Sequence, residues 1–491
     1  MSSLVFQKNV LLPSPSEDDR RADDQRIKDS LGIEDLHIPL GILKRLGLHE
    51  NPFPQEFSCV IGRNGPGHKI IDIKKDRSYS VALDLGTTNI AAVLLDNISR
   101  KKLLETSVEN PQIDYGCDIL TRMHQVMSST CDEVYSALLK GVNDLLSQIC
   151  AKTGIGLDDI HAVSVAGNTV MTHFFMGLDI GAIPALPFVP VVRTPGFLGP
   201  SDLGLNINPE GIVYIFPNAG SYVGGDIVAG IIASGMTESN EISVLIDVGT
   251  NAEIVAGNSE WMIVAAGAAG PALEEGISMI GRRAQNGVIY DIEIKNGDCA
   301  CKTFDEARPE GICGSGMVSL LYEMYKSGII DQNGKLNASS PNVINAGEET
   351  AYRISCNGHA GLDIRQTEIN NFLKSKAAMF TLLLVLLRSV GVSFSEIKNV
   401  YVSGALGTGI NAAKASGIGM LPEWPASIIK PLGNSSLTGA FMLLTDNGLI
   451  GKIDAITAKI TYKHMHDDPE FMREFMGAVF VPHTNPALLK V

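Results

Sequence analysis

SVLIDVGTNAEIVAG, residues 243–257, starts as a run of β-branched residues, breaks at Asp247, Gly249 and Thr250, and then resumes. Nearly the same phrase, VALDLGTTNIAAVLLD, occupies residues 81–96. One Asp-Gly break between apolar runs is an ordinary hairpin turn. Two copies of the same Asp-x-Gly-Thr core, with Asp84 and Asp247 a domain's length apart, argue instead for internal duplication.

The flanking sequence repeats with the hairpins. After the first come a helical stretch over 118–153, the strand IHAVSVAGN and a helix from Thr169. After the second come the strand WMIVAAG, helical patterns over 314–327 and 366–390, and NVYVSGALG, a strand running through a glycine turn into the helix INAAKASGIG. Residues 1–78 stand apart. A charged, proline-punctuated opening leads to DLHIPLGILKRLG at helical spacing, then to two strand-like runs, FSCVIG and HKIIDIKK, around a Gly-Pro-Gly turn. The expected division is an N-terminal linker and small α+β module (1–78), a first lobe (79–240), a second lobe (241–458) and a C-terminal tail packed on the core (459–491).

The residue types at each break suit a phosphate ligand. Glycine has no Cβ, so backbone N–H groups can approach phosphate oxygens, and Thr87, Thr88 and Thr250 add hydroxyl donors. Asp84 and Asp247 cannot bind phosphate themselves, but at strand ends they can hold Mg2+ through water while the metal bridges the anions. Gly404 and Gly407 would let an adenosine lie on exposed backbone. Together these features predict a site for ATP and Mg2+.

Composition removes other classes. The chain has 491 residues, 45% of them hydrophobic and 19% charged, so it can bury a large interior. A net charge of −15 argues against a nucleic-acid surface, which needs a concentrated basic face. The N-terminus lacks a signal-like apolar core. The longest apolar run, 380–387, stops at Arg388, short of the ~20 residues of a membrane span. A cytoplasmic protein without membrane or nucleic-acid partners is expected. The eight cysteines, at 59, 117, 131, 150, 299, 301, 313 and 356, include no Cys-x-x-Cys, so no iron–sulfur cluster is expected. Cys299 and Cys301 read as small side chains on one face of a strand. His124, His173 and His359 stand singly, without metal-ligand spacing.

The order of hairpin, hairpin and Gly404 turn resembles the superfamily of acetate kinase, heat-shock chaperones and actin. NPQIDYGCDILTRM, AGNTVMTHFFMGL, YVGGDIVAGIIASG, AAGPALEEG, GICGSGMVSLL and VSGALGTGINAAKASGIGMLP…PLGNSSLTGA follow in the order seen in the reductive activators of corrinoid-dependent methyltransferases, and the resemblance extends over essentially the whole chain. It implies an α/β fold of two duplicated ribonuclease-H-like, actin-like ATPase lobes around a nucleotide cleft. It also implies an ATP-dependent protein that returns a Co(II) corrinoid to Co(I), with a corrinoid protein or corrinoid-dependent methyltransferase as partner; a homodimer is compatible with it. Family members of known activity carry an iron–sulfur domain as electron relay. This sequence shows no such domain, so a separate electron donor is expected. A second departure is Ala405, where the family has glycine.

Residue by residue, the resemblance implies a first phosphate loop of Asp84, Gly86, Thr87, Thr88 and Asn89 and a second of Asp247, Gly249, Thr250 and Asn251. Asp226 and Glu253 are the candidates to orient an attacking water, although Asp226 could simply cap its helix and Glu253 could face a strand partner. The run 265–275, with Gly267 and Gly270, would approach the nucleotide through bare backbone, tight packing being the alternative. Arg282 and Arg283 would contact phosphate or form an exposed basic turn. Cys313 reads as a residue of packing or loop chemistry rather than a cluster ligand. A small-molecule kinase using the same cleft, and a non-catalytic nucleotide-dependent binding module, are the competing readings.

Overall fold

The strand Tyr79–Leu85 is apolar at nearly every position and buried on both faces, as a strand inside a helix-covered sheet must be. It pairs antiparallel with Asn89–Asp96, which pairs antiparallel with Lys101–Glu109. On its other side it runs parallel to Ile160–Gly167, and Ile212–Ile215 follows in parallel. The second phrase builds the same order. Ser243–Val248 pairs antiparallel with Asn251–Gly257, which pairs with Met262–Ala268, and on its other side runs parallel to Asn399–Gly404 and then Ile429–Gly433. Leaving aside the three-residue edge strands Gly196–Leu198 and Ile460–Tyr462, both sheets read third, second, first, fourth, fifth. One topology written twice is what the repeated phrase predicts.

This computed structural model describes residues 3–46, 55–73, 76–116, 118–128, 131–249, 251–268, 278–282, 284–295, 298–356, 359–404, 406–407, 409–465 and 468–491. The chain divides into two compact units. One comprises Met1–Ala233 with Ser436–Ala458, the other Ser234–Ser435 with Lys459–Val491. Among the described residues no helix is long and apolar enough to cross a membrane.

In the first unit, Val81, Leu83, Leu94, Leu138, Val142, Val163 and Ile215 form the core beneath the helix Cys131–Thr153. A separate four-stranded sheet, in the order Val5–Leu12, Gln55–Asn64, Gly67–Ile73, Leu36–His37, closes over Ile27, Leu31 and Ile42. A buried polar chain joins the two. Asp72, 2% exposed, accepts from Arg45, from Asn208 Nδ2 at 3.2 Å and from His161 Nε2 at 3.5 Å. His161 Nδ1 lies 3.0 Å from Ser78 Oγ, which accepts from Asn97 Nδ2 at 2.9 Å. Burial would raise the Asp72 carboxyl, but the hydrogen bonds from His161, Arg45 and the Ile73 N–H hold it down at about 2.

The second unit carries a further sheet outside the repeat. Val288–Lys295 pairs antiparallel with Asp298–Thr303, and Glu349–Cys356 pairs with Val343–Ala346 and His359–Arg365. The helices Gly314–Lys326 and Gln366–Ser389 pack in the same core. Cys299 and Cys356 are register partners on adjacent strands and form a disulfide, Cα–Cα 4.6 Å, while Cys301 is buried on the same face. Lys376, fully buried in the long helix, donates to the carbonyls of Phe480 at 2.6 Å and Pro482 at 2.8 Å. Burial pushes its ammonium down to about 7.

Several local expectations are corrected. The charged opening holds a strand, Val5–Leu12, whose partner Gln55–Asn64 is too distant in sequence to be seen as a pair. DLHIPLGILKRLG opens as the strand Leu36–His37, and its helix begins at Leu40 beyond Pro39. The helical stretch 118–153 is two helices, Ile119–Ser128 and Cys131–Thr153. Between the strand WMIVAAG and the helix from Gln366, where only the Cys299–Cys301 strand and a helical stretch over 314–327 are expected, residues 288–365 build a further sheet.

Candidate functional site

The first hairpin's turn is set by close backbone approach. A Cβ on Gly86 would fall 2.5 Å from the carbonyl oxygen of Asn89, so only glycine closes this turn. Asparagines from two other segments hold the loop. The Asn110 backbone N–H donates to Thr88 O at 2.8 Å and its side-chain amide to Gly86 O at 3.0 Å. Gln112 and the buried Arg122 support it: the Gln112 N–H donates to Asn110 Oδ1 at 3.0 Å, and Arg122 Nη1 to Gln112 Oε1 at 3.3 Å. The parallel register Leu85↔Gly167 brings Asn168 alongside, where Nδ2 donates to Thr87 Oγ1 at 3.3 Å while Oδ1 caps the helix Thr169–Met176. Asp84, next to last in its strand, accepts from Ser436 Oγ at 2.7 Å. Asn89 starts the returning strand. Asp226 lies in the first turn of Gly225–Ser234 and its Oδ1 accepts from the Ile227 N–H at 2.8 Å, a bond that ties down the helix end.

In the second unit Asp247 occupies the corresponding place, next to last in Ser243–Val248. Glu253 is its register partner across the hairpin and is buried; Ser403 is its partner on the parallel strand and donates to Asp247 Oδ2 at 3.2 Å. The Gly249 N–H donates to Asn251 O at 2.8 Å, closing the turn. Gly404 follows Ser403 at φ 68°, and a Cβ there would meet Val248 O at 2.3 Å and Asp247 Oδ1 at 2.5 Å. The Gly407 N–H donates to Gly404 O, and Gly407 O accepts from Gly433 N–H, both at 2.9 Å. The following helix, Ala412–Gly417, is pinned by Lys414, whose Nζ donates to Asp291 Oδ1 at 2.7 Å, Ser319 Oγ at 2.7 Å and Ile292 O at 2.5 Å. Burial would raise the Asp291 carboxyl, but the bonds from Lys414 and Ser319 hold it below its ordinary range.

Gly267 lies in Met262–Ala268, where a Cβ would make only ordinary contact with Leu382 at 3.6 Å. The Arg282 guanidinium turns back onto the carbonyls of Met279 and Gly281. Cys313 is buried, with Sγ 3.1 Å from Ser315 Oγ. Thr250, Gly270, Arg283 and Ala405 lie outside the described residues. Asn110, Asn168, Ser403 and Ser436 were not singled out by sequence; their only signal was membership in the ordered motif blocks.

The site's own residues fit a nucleotide carrying Mg2+. Each repeat sets an aspartate next to last in a strand beside a glycine turn, and at Gly404 the backbone packs so closely on Val248 O and the Asp247 carboxylate that no Cβ fits between them. Among the described residues no cluster of three or more His, Cys, Asp or Glu side chains is placed to hold a metal by itself.

Residues 241–491 match the family described as the C-terminal domain of RACo, the ASKHA domain, and residues 79–239 match the RACo middle region. The chain belongs to the RACo family. Its fold follows that of a solved reductive activator for corrinoid, iron-sulfur protein, at 30% identity and a TM-score of 0.93, over 99% of this chain and 80% of that one. The RACo assignment agrees with two curated relatives. Corrinoid activation enzyme RamQ of Eubacterium limosum is 29% identical over 430 residues, covering 84% of this chain and 72% of the relative. The Co(II) methylated amine-specific corrinoid protein reductase of Methanosarcina barkeri is 23% identical over 426 residues, covering 79% and 74%. The two-lobed α/β architecture that the resemblance implied is thus the RACo architecture.

Proposed function

We propose that this chain binds ATP with Mg2+ through its two Asp-x-Gly-Thr hairpins and uses the nucleotide to activate a corrinoid protein or corrinoid-dependent methyltransferase, with electrons supplied by a separate donor. The observation that carries the reading is the recurrence of an aspartate at the same strand end in two sheets of one topology, in a member of the RACo family. The names of the relatives support a corrinoid partner. The scattered cysteines support an external electron source.

In this reading, backbone N–H groups at Gly86 to Asn89, Gly249 and Asn251 would receive phosphate oxygens, and Asp84 and Asp247 would hold Mg2+ through water. The adenosine would lie along Gly404 and Gly407, with Gly267 contributing bare backbone. Bound Mg2+ would neutralise charge that develops on the transferring phosphoryl group. Glu253 and Asp226 orient the attacking water. ATP favours one arrangement of the protein, and a partner that prefers that arrangement must by linkage tighten ATP binding by the factor with which ATP tightens the partner, ~5–150-fold.

The test pairs a nucleotide titration with visible spectroscopy of candidate corrinoid proteins in a low-potential reductant. Mg2+-dependent ATP binding and an ATP-dependent change in cobalt spectrum or corrinoid-protein affinity are expected. No binding at millimolar nucleotide removes the reading. Phosphorylation of a small metabolite with no corrinoid response replaces it with a kinase.

A further inference from the structure

Ser435 and Ser436 are consecutive, and the chain passes from one unit to the other at the peptide bond between them. Their hydroxyls serve different aspartates, each inside its own unit. Ser436 Oγ donates to Asp84 Oδ1 at 2.7 Å. Ser435 Oγ lies 2.7 Å from Ser403 Oγ, and Ser403 donates to Asp247 Oδ2 at 3.2 Å. A hydroxyl has one proton to give. Since the Ser403 proton goes to Asp247, Ser435 is the donor to Ser403, and the chain of bonds runs one way. All three serines are at most 5% exposed, so a hydroxyl there without a partner would carry a desolvation penalty.

We infer that Ser436, and Ser403 backed by Ser435, are positioning residues for the two aspartates. The inference rests on the ATP–Mg2+ reading and extends it to residues that touch neither phosphate nor metal. A carboxylate at a strand end can rotate about its Cβ–Cγ bond. A hydrogen bond to one named oxygen restricts that rotation, and so contributes to how the carboxylate would face a metal's water shell. The start of the helix Ser435–Thr445 adds to this for Asp84, because a helix N-terminus favours nearby negative charge. The two repeats reach the same end by different routes. Asp84 receives a hydroxyl from the helix directly, and Asp247 receives one through the neighbouring strand.

The experiment measures binding of a non-hydrolysable ATP analogue to the full chain across a Mg2+ titration and again in chelator, beside a thermal unfolding midpoint for each variant. Ser436→Ala is expected to raise the Mg2+ needed for half-maximal nucleotide binding by ~10-fold, with metal-free affinity and unfolding midpoint little changed. Ser436→Thr, which keeps the hydroxyl, should restore it. Ser403→Ala should behave as Ser436→Ala does, and Ser435→Ala should fall between it and wild type, because Ser435 acts through Ser403. Unchanged Mg2+ dependence in both Ser436→Ala and Ser403→Ala overturns the assignment. So does an equal loss of metal-free and metal-dependent affinity, which marks a general packing effect. Wild-type protein that binds no analogue in Mg2+ removes the ATP reading and this assignment with it, whereas normal wild-type binding with insensitive variants removes this assignment alone.

Discussion

Alanine at Gly404 and at Gly433 separates the cost of a backbone conformation from the cost of a close approach. The two glycines have nearly the same left-handed backbone, φ 68° and φ 64°, so alanine at either carries the same penalty of ~1–2 kcal/mol. Their surroundings differ. A Cβ on Gly404 lies 2.3 Å from Val248 O and 2.5 Å from Asp247 Oδ1, whereas one on Gly433 meets nothing within 4 Å. Relieving the first contact shifts the end of a buried strand and relieving the second swings the carboxylate, an overpacking cost of ~1–3 kcal/mol. Gly404→Ala should therefore lose ~2–5 kcal/mol in urea denaturation, and Gly433→Ala only ~1–2 kcal/mol. Because one displaced atom belongs to Asp247, Gly404→Ala should also lower Mg2+-dependent ATP turnover by ~100-fold, the scale of an ångström-sized misplacement, and Gly433→Ala should largely keep it. Equal destabilisation by the two substitutions, or full turnover in a folded Gly404→Ala protein, would refute the reasoning.

Four further outcomes are expected. Asp72 is held at about 2, below its unfolded value, so its stabilisation is present above the ordinary carboxylate range and is lost as pH falls through that range toward 2; Asp72→Asn should cost about 2 kcal/mol at neutral pH and flatten the acid limb of a stability–pH curve. Lys376 is depressed to about 7, so the unfolded chain binds more protons between that value and ~10.4, and stability rises with pH across the interval. Lys376→Met should abolish the rise in chemical denaturation series and, by leaving the Phe480 and Pro482 carbonyls without their donor, cost ~1–3 kcal/mol. Asn110→Ala removes the donor to the part-buried Gly86 O and should weaken ATP binding by calorimetry ~10-fold, since such a hydrogen bond is worth ~0.5–1.5 kcal/mol. Alkylation of denatured, unreduced protein followed by mass spectrometry should leave Cys299 and Cys356 unmodified until a reductant is added, while Cys59, Cys150, Cys301 and Cys313 react.

Both hairpins were legible because an Asp-x-Gly-Thr break is a local event: strand, turn and return lie within one short window, and the second copy turns an ordinary motif into a repeat. The polar groups that brace them were not. Asn110 and Asn168 sit where asparagine commonly ends a strand or caps a helix, and both do so here; that the same side chains also hold Gly86 and Thr87 depends on tertiary placement. Ser403 looks like any small strand residue until the parallel register sets it opposite Asp247. The inserted sheet escaped for a different reason. Its strands are interrupted by register shifts, between Ile289 and Asp291 and between Ile354 and Cys356, so no long alternating pattern builds up.

The first unit is written in two pieces, and that constrains its synthesis. Leu444 O accepts from Leu4 N–H, Thr457 O from Arg193, and Asp84 from Ser436, so two segments separated by some two hundred residues of sequence complete one body. Its larger piece leaves the ribosome first and must wait while the intervening segment Ser234–Ser435 is made, roughly 10–40 s at ~5–20 residues per second. During that interval the surface that later receives Ser436–Ala458 is uncovered in the nascent chain, where a chaperone or a second nascent chain could reach it. A cut between the matched regions 79–239 and 241–491 would make the uncovered state permanent, leaving one fragment short of a segment that the other fragment carries but cannot itself bury.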